Sequence, residues 1–272
     1  MKDNILSTDN IKRYMNNPQS YNIIVEKTVD STNNVLKKMA RMGEKHGTVV
    51  VAEEQTAGRG RFNRSFFSPK KDGVYLSILL RPDMDISKSI FLTCVAAIAV
   101  SEFIEQIIGQ KTSIKWVNDI ELNGRKICGI LTEGAIRADS SLFDYAIVGI
   151  GVNITEPKDG YPEEISKKAG AFYDANTSKD IRNELVANIL EKFMNYYTNL
   201  NESEIREKYK ERSSVLDQDI YIISGENVEE AHVLDLADDL SLLVETKHGK
   251  KILKSGEISI RRRVDNENIN DI

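Results

Sequence analysis

The feature that most constrains this chain is a break in its pattern. Two runs rich in β-branched and apolar residues, Thr48 to Glu53 and Val74 to Leu80, read as buried strands. Between them, Glu54 to Asp72 has neither helical nor alternating periodicity. A structureless connection of that length inside a compact domain is uncommon unless it does something. Its central part reads GRGRFNRSFFSPKK, with Arg59, Arg61, Arg64, Lys70 and Lys71 and no acid. The chain as a whole is acidic, with 37 Lys and Arg against 42 Asp and Glu. Glycines let a backbone approach an oxyanion closely, and arginines neutralise one bidentately. The segment therefore points to phosphate chemistry. It lacks the spacing of a P-loop, and Asn63 stands where a dinucleotide fingerprint would need its last glycine.

Around this loop the pattern predicts mixed α and β structure. A first strand runs from Tyr21 to Thr28. Asp30-Ser31-Thr32-Asn33 then opens a helix to about Met42, with Asp30 or Ser31 as cap and Gly43 as stop. The apolar spacing from Ser87 to Ile108 predicts a long helix ended by Gly109. Short strands follow near Ser113 to Trp116 and Ile120 to Leu122. Asn123-Gly124 is a two-residue hairpin turn, and a return strand runs from Lys126 to about Arg137. Phe143 to Ile154 is a further strand, Thr155 to Thr177 a polar stretch, and Ser178 to Leu200 and Glu202 to Arg212 are helices. After Ser213 short β-type segments recur: Gln218 to Ile223, Glu230 to Leu234, Ser241 to Thr246, Lys251 to Lys254 and Glu257 to Ile260. The expectation is an α+β domain over residues 1–213 and a small β-barrel over 214–272.

Several function classes fall away. A net charge of −5 disfavours general coating of nucleic acid. Two cysteines, Cys94 and Cys128, and three scattered histidines build neither a disulfide framework nor a zinc site. Both cysteines sit in apolar contexts, as small buried hydrophobes do. The N-terminus has no apolar signal core, and Cys94 to Val100 is too short to span a bilayer. The reading is a soluble, cytoplasmic protein with no membrane partner. Within it, Lys126 follows the hairpin turn, Gly129 leaves room on the return strand, and Asn118 and Asp119 offer oxygens of the kind magnesium prefers.

Taken in order, DSTN at 30–33, EEQTAGRGR at 53–61, SP at 68–69, KWVND at 115–119, GRKICGILTE at 124–133, GIGVNI at 149–154 and GEISIR at 256–261 resemble the biotin protein ligase family. The resemblance spans Asp30 to about Arg261. Three positions depart from it: the family usually has Gly and Trp where Asn63 and Phe66 stand, and Pro at Val117.

The resemblance implies a class II synthetase-like catalytic domain followed by an SH3-like barrel. It implies an ATP-dependent ligase that activates biotin as biotinyl-5'-AMP and passes it to a lysine of biotin carboxyl carrier protein. Lys126 and Arg61 are the implied catalytic residues. Ser31, Thr32, Asn33, Gln55, Arg59, Gly60, Arg61, Lys126 and Gly129 are the implied biotin contacts. Arg59, Arg61, Phe66, Lys126, Val152, Asn153 and Arg261 are the implied ATP contacts, and Asp119 or Asn118 would hold Mg²⁺. Family members that also repress transcription carry an N-terminal winged helix-turn-helix, for which the stretch before the first strand leaves no room. The expectation is the monofunctional type without DNA binding, with a homodimer allowed. Two rivals stand beside this reading. One is a lipoate or octanoate protein ligase of the same superfamily, against which the Arg-Arg-x-x-Gly-Gly-Gly pattern is missing. The other is a non-catalytic nucleotide- or RNA-binding module, disfavoured by the net charge.

Overall fold

The structure, a computed structural model, describes residues 5–175, 177, 180–225, 227–255 and 259–262. In chain order its elements are α1 (Thr8–Lys12), β1 (Asn22–Val29), α2 (Thr32–Arg41), β2 (Thr48–Gln55), β3 (Gly73–Leu80), α3 (Ser89–Ile108), β4 (Ser113–Lys115), β5 (Asp119–Leu122), β6 (Arg125–Ile136), β7 (Phe143–Asn153), α4 (Glu163–Ser166), α5 (Arg182–Thr198), α6 (Glu202–Lys210), β8 (Asp219–Ser224), β9 (Asn227–Leu236), β10 (Leu242–Thr246), β11 (Gly249–Leu253) and β12 (Ser259–Arg262). The first seven strands form one sheet in the order β1-β2-β3-β7-β6-β5-β4, and the last five form a second in the order β11-β10-β9-β8-β12. Only β1 and β2 pair in parallel in the large sheet, so it is mixed, and the small sheet is antiparallel throughout. The α+β expectation and the appended β unit both hold. The expected helix start at Ser178 and the residues Glu257 and Ile258 of the last expected strand lie outside the described residues.

Period-two alternation divides the large sheet into two faces. Val49, Val51, Leu76, Ile78, Leu80, Val148, Ile150 and Val152 pack with α3 and α5 in the main core. Val50, Leu79, Tyr145 and Ile147 point the other way, onto Leu36 and Ala40 of α2. Helix α3 is the one helix among the described residues long and apolar enough to cross a membrane, and it is buried in this core. Gly109 stops it in the left-handed conformation, at φ 67°. Helix α2 ends in the corresponding way. Gly43, at φ 88°, donates to Ala40 O, and Glu44 donates to Met39 O, the paired bonds of a Schellman motif. Asn123 and Gly124 both take positive φ, as a type I′ hairpin requires. The small sheet is tied to the large one by Trp116, whose Nε1 donates to Leu240 O at 2.9 Å.

Candidate active site

Helix α2 covers only part of its face of the sheet. Beyond its first turn the alternation leaves Ser77, Gly149, Gly151 and Gly129 side by side, with Ser77 opposite Gly149 and Gly129 opposite Gly151. No side chain rises from these glycines, so the floor is flat. Ser31, Thr32, Asn33 and Gln55 stand around it.

These polar groups hold one another. The helix start was expected to be capped by Asp30 or Ser31, and the outcome differs. Ser31 occupies the N-cap position but makes no capping bond with its side chain. Gln55 Oε1 accepts the Thr32 backbone N–H at 2.9 Å instead, and Asp30 accepts from Ser31 N and from Asn34 Nδ2. A partner from β2 thus satisfies the orphan helix donor, and the Ser31 hydroxyl lines the hollow. Ser77 Oγ donates to Asn33 Oδ1 at 2.6 Å and lies 2.7 Å from Thr32 Oγ1. Asn33 Nδ2 donates to Glu133 Oε2 at 2.9 Å. Arg59 donates to the same carboxylate oxygen at 2.9 Å and to Asn34 Oδ1 at 3.1 Å.

The basic loop folds into a narrow hairpin over this floor. Gly60 N donates to Arg64 O and Phe66 N to Gly58 O. A β-carbon on Gly58 would lie 2.3 Å from Phe66 O, so only glycine fits there. At the tip, Phe62 and Asn63 are both left-handed, at φ 55° and 57°. Asparagine is the residue after glycine that best tolerates this conformation, so Asn63 preserves the backbone that a glycine would give. The Phe66 ring lies on the floor itself. β-carbons on Gly129 and Gly151 would come within 2.8 and 2.5 Å of it. With the ring in place only about 20 Å³ of free space is left in the hollow.

A second, larger cleft of about 150 Å³ adjoins it. Its walls carry the cations. Lys126 Nζ lies 2.6 Å from Asp119 Oδ1 and 5.6 Å from the centre of the Phe66 ring. The Lys126 backbone is fixed by Thr155 to Thr177, the expected polar stretch, through bonds to Lys168 O and from Gly170 N. Arg61 donates to Asn118 Oδ1 at 3.1 Å and to Ser255 O, in the turn after β11. Burial lowers its pKa, as it does that of Lys115 in the same cleft.

Most of the expected site residues therefore meet. Ser31, Thr32, Asn33, Gln55, Arg59, Phe66 and Gly129 line the hollow, and Arg59, Gly60, Arg61, Phe66, Asn118, Asp119, Lys126 and Gly129 line the cleft. Val152 and Asn153 line neither: Val152 faces the core, and Asn153 Nδ2 donates to Gly170 O at 3.0 Å. Arg261 sits on β12 opposite Tyr221, and its neighbour Ile260 lines the cleft. The oxygens of Asn118 and Asp119 face Arg61 and Lys126, so the pair as it stands does not fit a protein-held metal. Cys128 and Cys94 are buried, and burial pushes both thiols up, which makes neither a nucleophile. Lys115 and Glu133 lie in motifs that the sequence reading singled out but were given no site role there, and Ser77 was not singled out. The signal for Lys115 was its register, opposite Asp119 across a two-strand pair.

Comparison with known proteins shows the family. The model of the biotin/lipoate A/B protein ligase family matches residues 25–153. The bifunctional ligase/repressor BirA of Bacillus subtilis is 32% identical over 241 residues, 88% of this chain and 74% of its own. The biotin–[acetyl-CoA-carboxylase] ligase of Mycobacterium tuberculosis is 29% identical over 171 residues, 61% of this chain and 60% of its own. The biotin protein ligase of Aquifex aeolicus, solved in complex with biotin and ATP, is 31% identical. It superimposes with a TM-score of 0.73, covering 89% of this chain and 99% of that one. With a glycine floor, a polar rim and a basic loop folded across them, the chain belongs to the biotin protein ligases of the biotin/lipoate A/B protein ligase family.

Proposed function

We propose that this ligase joins biotin to ATP as biotinyl-5'-AMP and then transfers the biotinyl group to a lysine of biotin carboxyl carrier protein. One observation carries the reading. The polar rim of Ser31, Thr32, Asn33 and Gln55 and the floor of Gly129 and Gly151 open directly onto a cleft lined by Lys126, Arg61 and Lys115. The rim suits a ureido ring, whose buried polar groups would each cost about 1–3 kcal/mol if left unpaired. The cleft suits a carboxylate meeting a triphosphate.

In the first step a carboxylate oxygen of biotin attacks the α-phosphorus, and the bond to pyrophosphate breaks. Two anions approach, so the site must supply positive charge where negative charge crowds. Lys126, now held by Asp119, takes the carboxylate and α-phosphate oxygens in its place. Arg61 closes the loop over the mixed anhydride and keeps water from it. In the second step the neutral amine of the acceptor lysine attacks the biotinyl carbonyl carbon. AMP leaves, and the amine proton passes to solvent. Mg²⁺ enters this reading as the nucleotide's counter-ion, keeping most of its waters.

ATP–pyrophosphate exchange tests the reading, run with biotin, with lipoate and with neither acid. Exchange dependent on biotin alone is expected. Exchange with lipoate alone would move the chain to the sister activity, and no exchange would refute adenylation.

A further inference from the structure

The strand pair β4–β5 carries charges that the reaction above does not use. Lys115 stands opposite Asp119, and Ser113 opposite Glu121. Positions two apart on a strand share a face, so Lys115, Asp119 and Glu121 all lie on one side of this pair. Lys126 is joined to Asp119 at 2.6 Å. Glu121 is buried, with 7% of its side chain exposed, and its Oε2 lies 2.8 Å from the Arg262 guanidinium of β12. Ser214 Oγ donates to the same oxygen at 3.4 Å. Two carboxylates and three cations therefore gather here: Asp119 joined to Lys126, Glu121 opposite Lys126 in register and joined to Arg262 of the small sheet, and Lys115 opposite Asp119.

A buried carboxylate is costly unless it is paired. Burial raises the pKa of Glu121, and Arg262 and Lys115 oppose that rise. Burial likewise lowers that of Lys115, opposed first by Glu121 and then by Asp119. Arg262 satisfies Glu121 directly, and Lys115 is a second cation on the same face of the strand pair.

We propose that Glu121 and Arg262 form an interdomain positioning pair that keeps Lys115 available in the cleft for the phosphates of the nucleotide. The inference rests on the ATP-dependent reading given above. While Arg262 neutralises Glu121, the Lys115 ammonium is free to face the ligand. Without Arg262, the uncompensated carboxylate draws Lys115 to itself. Arg262 and Glu121 touch no substrate in this scheme and act through Lys115.

The test compares the full-length protein with Arg262→Met, Glu121→Gln/Arg262→Met and Arg262→Lys, by steady-state pyrophosphate exchange and by melting with and without ATP. Arg262→Met is expected to raise the KM for ATP about tenfold, with kcat and the KM for biotin nearly unchanged. The double variant has no charge left to capture Lys115 and is expected to return to within about threefold of the wild type. In a Lys115→Met background, Arg262→Met should add nothing further. An unchanged KM for ATP in Arg262→Met overturns the proposal, and so does a parallel rise for ATP and biotin, which a purely structural contact would give. If Arg262→Met does not fold, Arg262→Lys and the double variant carry the test. Both then keep a near-normal KM for ATP, and a tenfold rise in both overturns the proposal. The ATP-induced rise in melting temperature reads nucleotide binding whichever acid is activated. Failure of wild-type exchange with biotin would instead count against the proposed function.

Discussion

A β-carbon on Gly149 would stand 2.1 Å from Asn33 Oδ1, so the asparagine side chain lies where a strand residue would otherwise put its own. Ser77, Glu133 and Leu131 O hold it there by hydrogen bonds. Gly149→Ala must therefore push Asn33 out of a network that also orients Thr32 and Arg59. The expected cost is about 1–3 kcal/mol for the buried polar groups left unpaired. Thermal melting should fall, and calorimetric biotin affinity should fall with it. Native-like values of both would show that Asn33 can relocate without loss.

Phe66 makes a second prediction through the space it takes. Its ring covers Gly129 and Gly151, and the roughly 20 Å³ that remain are far below the several hundred Å³ that ligand sites enclose. The ring must move before a bicyclic ligand can lie on the floor. Phe66→Ala is expected to bind biotin with a faster association rate than the wild type. Trp116, the only tryptophan, lines the adjoining cleft and can report the event by stopped-flow fluorescence. Equal association rates would mean that the ring does not close the floor in solution.

The order of motifs made the fold, the loop and most of the rim legible. The strands, the long helix, the Asn123-Gly124 turn and the Gly43 and Gly109 stops all follow from local chemistry. What escaped is set by tertiary partners. The local pattern at Asp30 to Asn33 is that of a self-capped helix, yet Gln55 supplies the bond, because a neighbouring strand brings a better-placed acceptor. Lys115 reads as one lysine in a short strand until register sets it opposite Asp119. Val152 and Asn153 sit in a glycine-rich motif that invites a ligand. Alternation turns Val152 into the core, and the amide of Asn153 is spent on Gly170 O.

Arg61 braces three pieces of the molecule, since its guanidinium joins the loop to Asn118 and to Ser255 O in the turn after β11. Arg61→Gly removes both attachments and adds backbone freedom at the tip. The adenylate should still form but escape into solution, because the loop no longer stays closed over it. Radiolabelled adenylate retained on a desalting column measures this. Retention equal to that of the wild type would count against a closing role for Arg61.

Lys126 offers the sharpest test of the chemistry. Its ammonium is held by Asp119 at 2.6 Å, on the wall where the floor meets the cleft, and about a third of its side chain is exposed. Removing it leaves the core intact, so Lys126→Ala should melt close to the wild type. The charge it supplies to the crowded oxygens is gone, however. Losing one such contact lowers the rate about 10²–10³-fold, or roughly 3–4 kcal/mol of transition-state stabilisation. Pyrophosphate exchange should drop by that factor, with the loss mainly in kcat. Lys126→Arg keeps the charge but spreads it over a planar fork that does not fit a site built for a point charge, and it should recover only part of the rate. Exchange at the wild-type rate in Lys126→Ala would remove the lysine from the mechanism and leave Arg61 and Lys115 to carry the charge.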